Sequence, residues 1–183
     1  TDKWSISDSA ADYIFTGHQL LSFELPGTLK VIVYPATWEE AADKKKYFPI
    51  FSDKGFSESV SKSDLMNFVM IDCFSDDSAI NDFTYLDELA NDKKVVLCLS
   101  STNKNAMQSV RRMFMELQLR DIKNPAVLIT DSERQTPDEH LIHFASETGG
   151  LFLDGFGDGI CLGYSSKAQM ENGKASGRTY LEV

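Results

Sequence analysis

The sequence predicts an α/β fold: a parallel sheet with covering helices, either TIM-barrel-like as a partial βα barrel or an open βα sheet. Three observations carry this. Apolar runs rich in valine, isoleucine and leucine recur at Lys30–Tyr34, Asn67–Cys73, Lys94–Leu99 and Ala126–Thr130. Each is short and nearly continuous, as strands buried on both faces read. Amphipathic segments with capping signals separate them. The alternation repeats at roughly 30 residues, which is the βα pattern, and right-handed crossovers then make the sheet parallel.

Taken in order, the first run, Lys30–Tyr34, is followed by Thr37 and Glu40 in capping-box spacing. An acidic helix beginning Trp38-Glu39-Glu40 ends on Lys44, Lys45 and Lys46, cations placed at the negative end of the helix dipole. Ser52–Asp64 is polar and serine-rich and reads as a surface loop. After the second run, Ile80, Phe83, Leu86 and Leu89 hold helical spacing up to Asn91-Asp92. Met107, Val110, Met113, Phe114 and Leu117 do the same across Asn103–Leu119, between the third and fourth runs. Thr136-Pro137-Asp138-Glu139 makes a second capping box with proline at the first helical position. Leu151–Asp154, after Gly149-Gly150, reads as a fifth strand. About five or six strands are too few for a closed eight-stranded barrel, which leaves an open sheet or part of a barrel.

A chain of 183 residues buries roughly 70% of its unfolded surface, enough for one core. Residues 1–162 form a single α/β domain on this reading, and 163–183, rich in glycine, serine, lysine and glutamate, read as a frayed polar tail or a cloning remnant. The net charge of −10 works against nucleic acid and anionic bilayers as partners, because both need a basic face. No apolar stretch approaches the ~20 residues of a membrane helix, and Thr1-Asp2-Lys3-Trp4 is no signal peptide. The absence of an initiating methionine suits a processed product or an excised piece. Cys73, Cys98 and Cys161 lie far apart without a Cys-x-x-Cys pair and read as core thiols in a reducing cytoplasm.

In parallel βα folds, ligands gather at the carboxyl ends of the strands. The polar residues expected there are Asp72 with Asp76 and Asp77, Ser100-Ser101-Thr102, Asp131-Ser132, and Asp154 with Asp158. Such carboxylates can hold a divalent cation or act as general acid and base. The same residue types also cap the helix that follows each strand, and that is the favoured reading. Gly155-Phe156-Gly157-Asp158-Gly159 lacks the third glycine of a dinucleotide loop, Ile160 standing in its place, and reads as a turn with a close backbone approach. His140 and His143 lie three apart with Glu147 a turn further on, a combination that can bind zinc. Their spacing is not i, i+4, no further ligand accompanies them, and Leu141, Phe144 and Ala145 take the opposite face, so they read as solvated or rim histidines. Gly-x-Ser-x-Gly and phosphate-loop signatures are missing. No catalytic, cofactor-binding or metal residue is assigned.

Some segments are less generic. Ser7-Asp8-Ser9-Ala10-Ala11-Asp12-Tyr13, Tyr34-Pro35-Ala36-Thr37-Trp38-Glu39-Glu40 with Tyr47-Phe48-Pro49, and above all Gly150–Ile160 resemble 4-hydroxy-3-methylbut-2-enyl diphosphate synthase, the GcpE or IspG enzyme of non-mevalonate isoprenoid (terpenoid) biosynthesis. The resemblance is to the domain inserted, in the large three-domain form of plastids and some bacteria, between a substrate-binding barrel and an iron–sulfur domain. It covers about residues 1–162. It implies a barrel-related fold, a cytoplasmic bacterial setting, and the other two domains as partners, and it says nothing of oligomeric state. The parent oxidoreductase performs a reductive ring opening and dehydration on a 4Fe-4S cluster held by three cysteines and a glutamate near Cys-Pro-x-Cys-Gly. That motif is missing here, so no cofactor is expected in this chain and it is not expected to be catalytic alone. The expected role is a non-catalytic spacer orienting the substrate barrel and the iron–sulfur domain. The alternative is an independent α/β domain binding a small ligand or divalent cation at its strand ends through Asp72, Asp131, Asp154 and Asp158.

Overall fold

The strands assemble in the order in which the chain makes them. The computed structural model describes residues 6, 8, 10–74 and 83–164, and these form one seven-stranded parallel sheet ordered β1-β2-β3-β4-β5-β6-β7. The strands are β1 (Tyr13–Gly17), β2 (Lys30–Val33), β3 (Tyr47–Ser52), β4 (Asn67–Asp72), β5 (Val95–Ser100), β6 (Ala126–Ser132) and β7 (Gly159–Tyr164). The helices are α1 (Pro35–Glu40), α2 (Asp53–Glu58), α3 (Thr84–Ala90), α4 (Ala106–Leu119), α5 (Pro137–Phe144) and α6 (Gly150–Leu153), with a π-helical turn at Ala145–Gly149 joining the last two. The sheet curls into a half-barrel whose edges are β1 and β7. This is the predicted α/β partial barrel.

Period-2 alternation divides the strand side chains between two cores. Val69, Ile71, Leu97 and Leu99 face the helices and pack with Leu86 and Leu89 of α3 and Val110, Met113 and Leu117 of α4. Phe48, Ile50, Phe68, Val96 and Cys98 face the other way and fill the concave side with Ile32 and Ile129. A third cluster sets Val31 and Val33 against Trp38 of α1. Each fully buried leucine or isoleucine is worth about 1.5–3 kcal/mol relative to exposure, so the two faces of β4 and β5 hold the fold together.

Several local expectations change. Leu151–Asp154 is not a strand: the helical path from α5 continues through the π-turn into α6, and buried Phe144, Thr148 and Leu151 recur at helical spacing. The serine-rich segment contains α2, capped by Ser52, whose Oγ accepts from Gly55 N at 3.0 Å, and anchored by buried Phe56. Thr37 caps nothing. Helix α1 starts three residues earlier, at Pro35 with Tyr34 in the cap position, and buries Thr37 inside it. Lys44, Lys45 and Lys46 do not end that helix, which stops at Glu40 with no cation in its last turn; Lys44 reaches back from the following turn to donate to the carbonyls of Trp38 and Glu39, lying 4.2 Å from the Trp38 ring centroid. Gly163 and Tyr164, assigned to the polar tail, complete β7; the rest of that tail, Ile80 and the first residues lie outside the described residues.

The capping box of α5 is present. Thr136 Oγ1 accepts from Glu139 N at 3.3 Å, and Glu139 Oε2 accepts from Gln135 N at 3.0 Å and Thr136 N at 3.1 Å. These bonds, that from Gln135 first, hold the Glu139 carboxyl below its ordinary value. A depressed carboxylate contributes stability that is complete above the ordinary value of 4.5 and is lost as pH falls through the lowered folded value. A Thr136→Ala variant should lose about 1 kcal/mol at neutral pH by urea unfolding. The Glu139 carboxyl should titrate closer to its ordinary value by NMR. An unmoved urea midpoint would show that the cap contributes nothing.

Candidate functional site

Residues that end parallel strands share one rim, and the rim of β2–β5 surrounds a cleft of about 590 Å³. Ile50 and Phe51 of β3, Met70 of β4, Tyr34 and Tyr85 give its lining apolar and aromatic surface. Polar groups come from Asp72 and Ser100, paired in register at the ends of β4 and β5, and from Ser52, Asp53 and Ser59 around α2. Among the described residues the lining includes Asp53 and Asp72 and no lysine, arginine or histidine. Burial first, then the fields of Asp53, Cys73 and Asp72, push the Tyr85 hydroxyl far above the ordinary tyrosine value, so it stays protonated. Asp53, Tyr34 and Tyr85 were not singled out from the sequence. They sit on connections whose approach to the rim only tertiary structure sets.

The predicted quartet of aspartates does not converge. Asp72 lines the cleft, while Asp131, the residue before the end of β6, is not among the cleft residues. Asp154 and Asp158 belong to the opposite end of the sheet, because the helical Gly150–Leu153 puts the turn after it before β7 rather than after a strand. Asp154 pairs with Arg111 of α4. Asp158 clamps the first residue of β6: its backbone N donates to Ala126 O at 2.7 Å and its Oδ2 accepts from Ala126 N at 2.8 Å. Ser101 donates to Cys73 O at 2.7 Å, a loop-fixing role. Asp76 and Asp77 lie outside the described residues.

The histidine pair is likewise divided. His140 is a core residue, not a rim one: 4% exposed, it shares a hydrogen bond of 2.8 Å with the buried Ser132 hydroxyl. His143 Nε2 lies 3.1 Å from the Asp131 carbonyl. Glu147 turns away to accept from Met107 N at 2.9 Å, satisfying a first-turn donor of α4. Leu141, expected against the core, is exposed, because the helix presents His140 and Phe144 inward. Among the described residues no group of three or more histidine, cysteine, aspartate or glutamate side chains is placed to hold a metal ion.

The cysteines do not form an iron–sulfur ligand set. Cys73 belongs to the core between sheet and helices and Cys98 to the concave core, so the sheet separates them. Burial pushes the Cys73 thiol up to about 12 and the Cys98 thiol higher still, the opposite of what thiolate ligation needs. Cys161 sits on β7, opposite Ile129.

Fold and site together define a class: a parallel βα half-barrel domain whose strand-end cleft is lined by Asp53 and Asp72 and whose Cys73 and Cys98 are buried in its two cores. Within that class the chain is similar to the 4-hydroxy-3-methylbut-2-en-1-yl diphosphate synthase (flavodoxin) of Parabacteroides distasonis, with 31% identity over 157 residues. The match takes in 84% of this chain but only 24% of that relative, so the chain spans about a quarter of the curated protein it matches. The likeness supports a relationship to that synthase family in isoprenoid biosynthesis. No family model matches the sequence, and no solved structure does. No helix among the described residues is long and apolar enough to cross a membrane.

Proposed function

We propose that this chain is a non-catalytic spacer domain of a 4-hydroxy-3-methylbut-2-enyl diphosphate synthase, cytoplasmic and bacterial, that holds the substrate barrel and the iron–sulfur domain at the distance their shared reaction needs. The observation that carries this reading is the partial coverage: the likeness fills most of this chain and only 24% of the relative. The charge of the cleft supports it. Barrel enzymes place their chemistry at the strand ends. Here, among the described residues, that position offers the carboxylates of Asp53 and Asp72 and no lysine, arginine or histidine to meet a diphosphate. The scattered thiols are equally unsuited to a cluster.

The test exchanges the matching segment of the Parabacteroides enzyme for this chain, or for a flexible glycine–serine linker of equal length. The exchanged enzyme should keep its cluster absorbance and its turnover. The linker enzyme should keep its cluster and lose turnover by about a hundredfold or more, since misplacing reacting groups by even ~1 Å costs on that order. Normal turnover with the linker would overturn the spacer role. So would a cluster, with turnover, reconstituted in the isolated chain.

A further inference from the structure

The outer edge of β7 is the least protected part of the sheet. β7 pairs with β6 along its whole length, and among the described residues no strand pairs with its other side. Alternate backbone N–H and C=O groups therefore point outward, a template for another chain. Edge strands are normally blunted by lysine, proline, an inward charge or a bulge. Gly159-Ile160-Cys161-Leu162-Gly163-Tyr164 has no charge and no proline, and its pairing with β6 runs without a break in register. The opposite edge differs: β1 shifts register against β2 between Phe15 and Gly17, the kind of irregularity that bends an edge away from further pairing. Apolar surface accompanies the β7 edge. Ile160 is 48% exposed although it stands in register with buried Leu128. Phe152 of α6 lies on the same side, since a Cβ on Gly157 would touch both its ring and Leu128, and Leu153 beside it is 91% exposed.

The order of residues in β7 says what covers this edge. Directly opposite residues of an antiparallel pair share a face of the sheet, so a pair formed about a two-fold axis normal to the sheet must centre on a residue, not between two. Centred on Cys161, such a pair sets Ile160 opposite Leu162 of the second copy, Leu162 opposite its Ile160, and glycine opposite glycine at 159 and 163. Both Ile–Leu pairs fall on the helix side, where Ile160 and Leu162 follow Leu128 and Thr130 in register, and they extend the apolar surface already there. On the concave side Cys161 lies between two glycines, so no bulky side chain at 159–163 holds two such strands apart. The sequence Gly-Ile-Cys-Leu-Gly is thus complementary to its own reverse, and a second copy supplies that complement without any other requirement. We infer that β7 pairs antiparallel with β7 of a second copy of this chain across a two-fold axis at Cys161, joining two seven-stranded sheets into one.

The test is sedimentation velocity of the full chain under reducing conditions, from about 1 to about 200 µM. A reversible dimer is expected, with a dissociation constant of about 100 µM or tighter. Ile160→Lys places a charge opposite Leu162 on both sides of the axis and should weaken the dimer at least about tenfold. Because Ile160 is half exposed, that variant should keep the thermal midpoint and circular dichroism of the unaltered chain. A second readout fixes the register. Opposite residues of an antiparallel pair have Cα atoms about 4.5–5.5 Å apart, within reach of a disulfide. Mild oxidation with copper phenanthroline should therefore link two chains through Cys161, located by peptide mapping, and Cys161→Ala should abolish the link. The unaltered chain alone gives both the mass and the link, so the matter is decided even if Ile160→Lys fails to fold. A monomer up to about 200 µM, a dimer that a folded Ile160→Lys variant retains, or a dimer that gives no Cys161 link would each overturn the inference.

Discussion

An Asn67→Leu variant is expected to lose about 3 kcal/mol of stability, although the substitution replaces one buried side chain by another of similar size. Asn67 opens β4 and is fully buried, and its carboxamide spans the chain segment just before it. Its Oδ1 accepts from Ser63 N at 2.8 Å and its Nδ2 donates to Ser63 O at 2.9 Å. Ser63 is itself only 4% exposed, so water does not replace either bond. Leucine leaves one buried donor and one buried acceptor orphaned, each costing about 1–3 kcal/mol, and regains only part of that from apolar burial. The Ser63 hydroxyl, which accepts from Leu65 N at 3.2 Å, loses its anchored position as well. In urea the midpoint should fall by roughly 1–2 M with an unchanged slope. A fall of less than about a quarter molar would mean that the segment relaxes and finds other partners.

Much of this fold is legible in the sequence where burial is two-sided. β4 and β5 lie between two cores, so nearly every position is apolar and the run announces itself. β3 is buried in the same way, yet Pro49 disguises it, because proline argues against an interior strand. The register shows why it is tolerated: pairing to β2 ends at Pro49 and pairing to β4 begins at Ile50, so the missing N–H falls where one ladder hands over to the other. β1 and β7 are edges, half-covered and interrupted by glycine, and their patterns are correspondingly weak. Leu151–Asp154 misled because four apolar-rich residues fit either period. Only the spacing back to Phe144 and Thr148 shows the helix. That one misreading also moved Asp154 and Asp158 to the wrong end of the sheet. Asp72 and Ser100 were legible as strand ends, whereas Asp53 and Tyr85 reach the cleft through helices whose docking no local pattern encodes.

The glycine-rich turn ahead of β7 supplies the second large effect, and two alanine variants divide its causes. Gly157 has φ +92°, and a Cβ there would lie 3.2 Å from Cγ of Leu128 and 3.5 Å from Cε1 of Phe152. Gly155 has φ +80°, but a Cβ there would meet nothing within 4 Å. Both alanines carry backbone strain of about 1 kcal/mol or more, and Gly157→Ala adds the overpacking of a 2%-exposed leucine, about 1–3 kcal/mol further. The expected losses are therefore about 1 kcal/mol for Gly155→Ala and about 3 kcal/mol for Gly157→Ala. For a domain of this size the latter lowers the thermal midpoint by roughly 10 °C. Equal shifts for the two variants would rule out the close approach as the reason for Gly157. The difference matters beyond packing, because Asp158 is the next residue. Its paired hydrogen bonds to Ala126 fix where β7 joins β6, so a turn forced outward at Gly157 also loosens the last strand of the half-barrel.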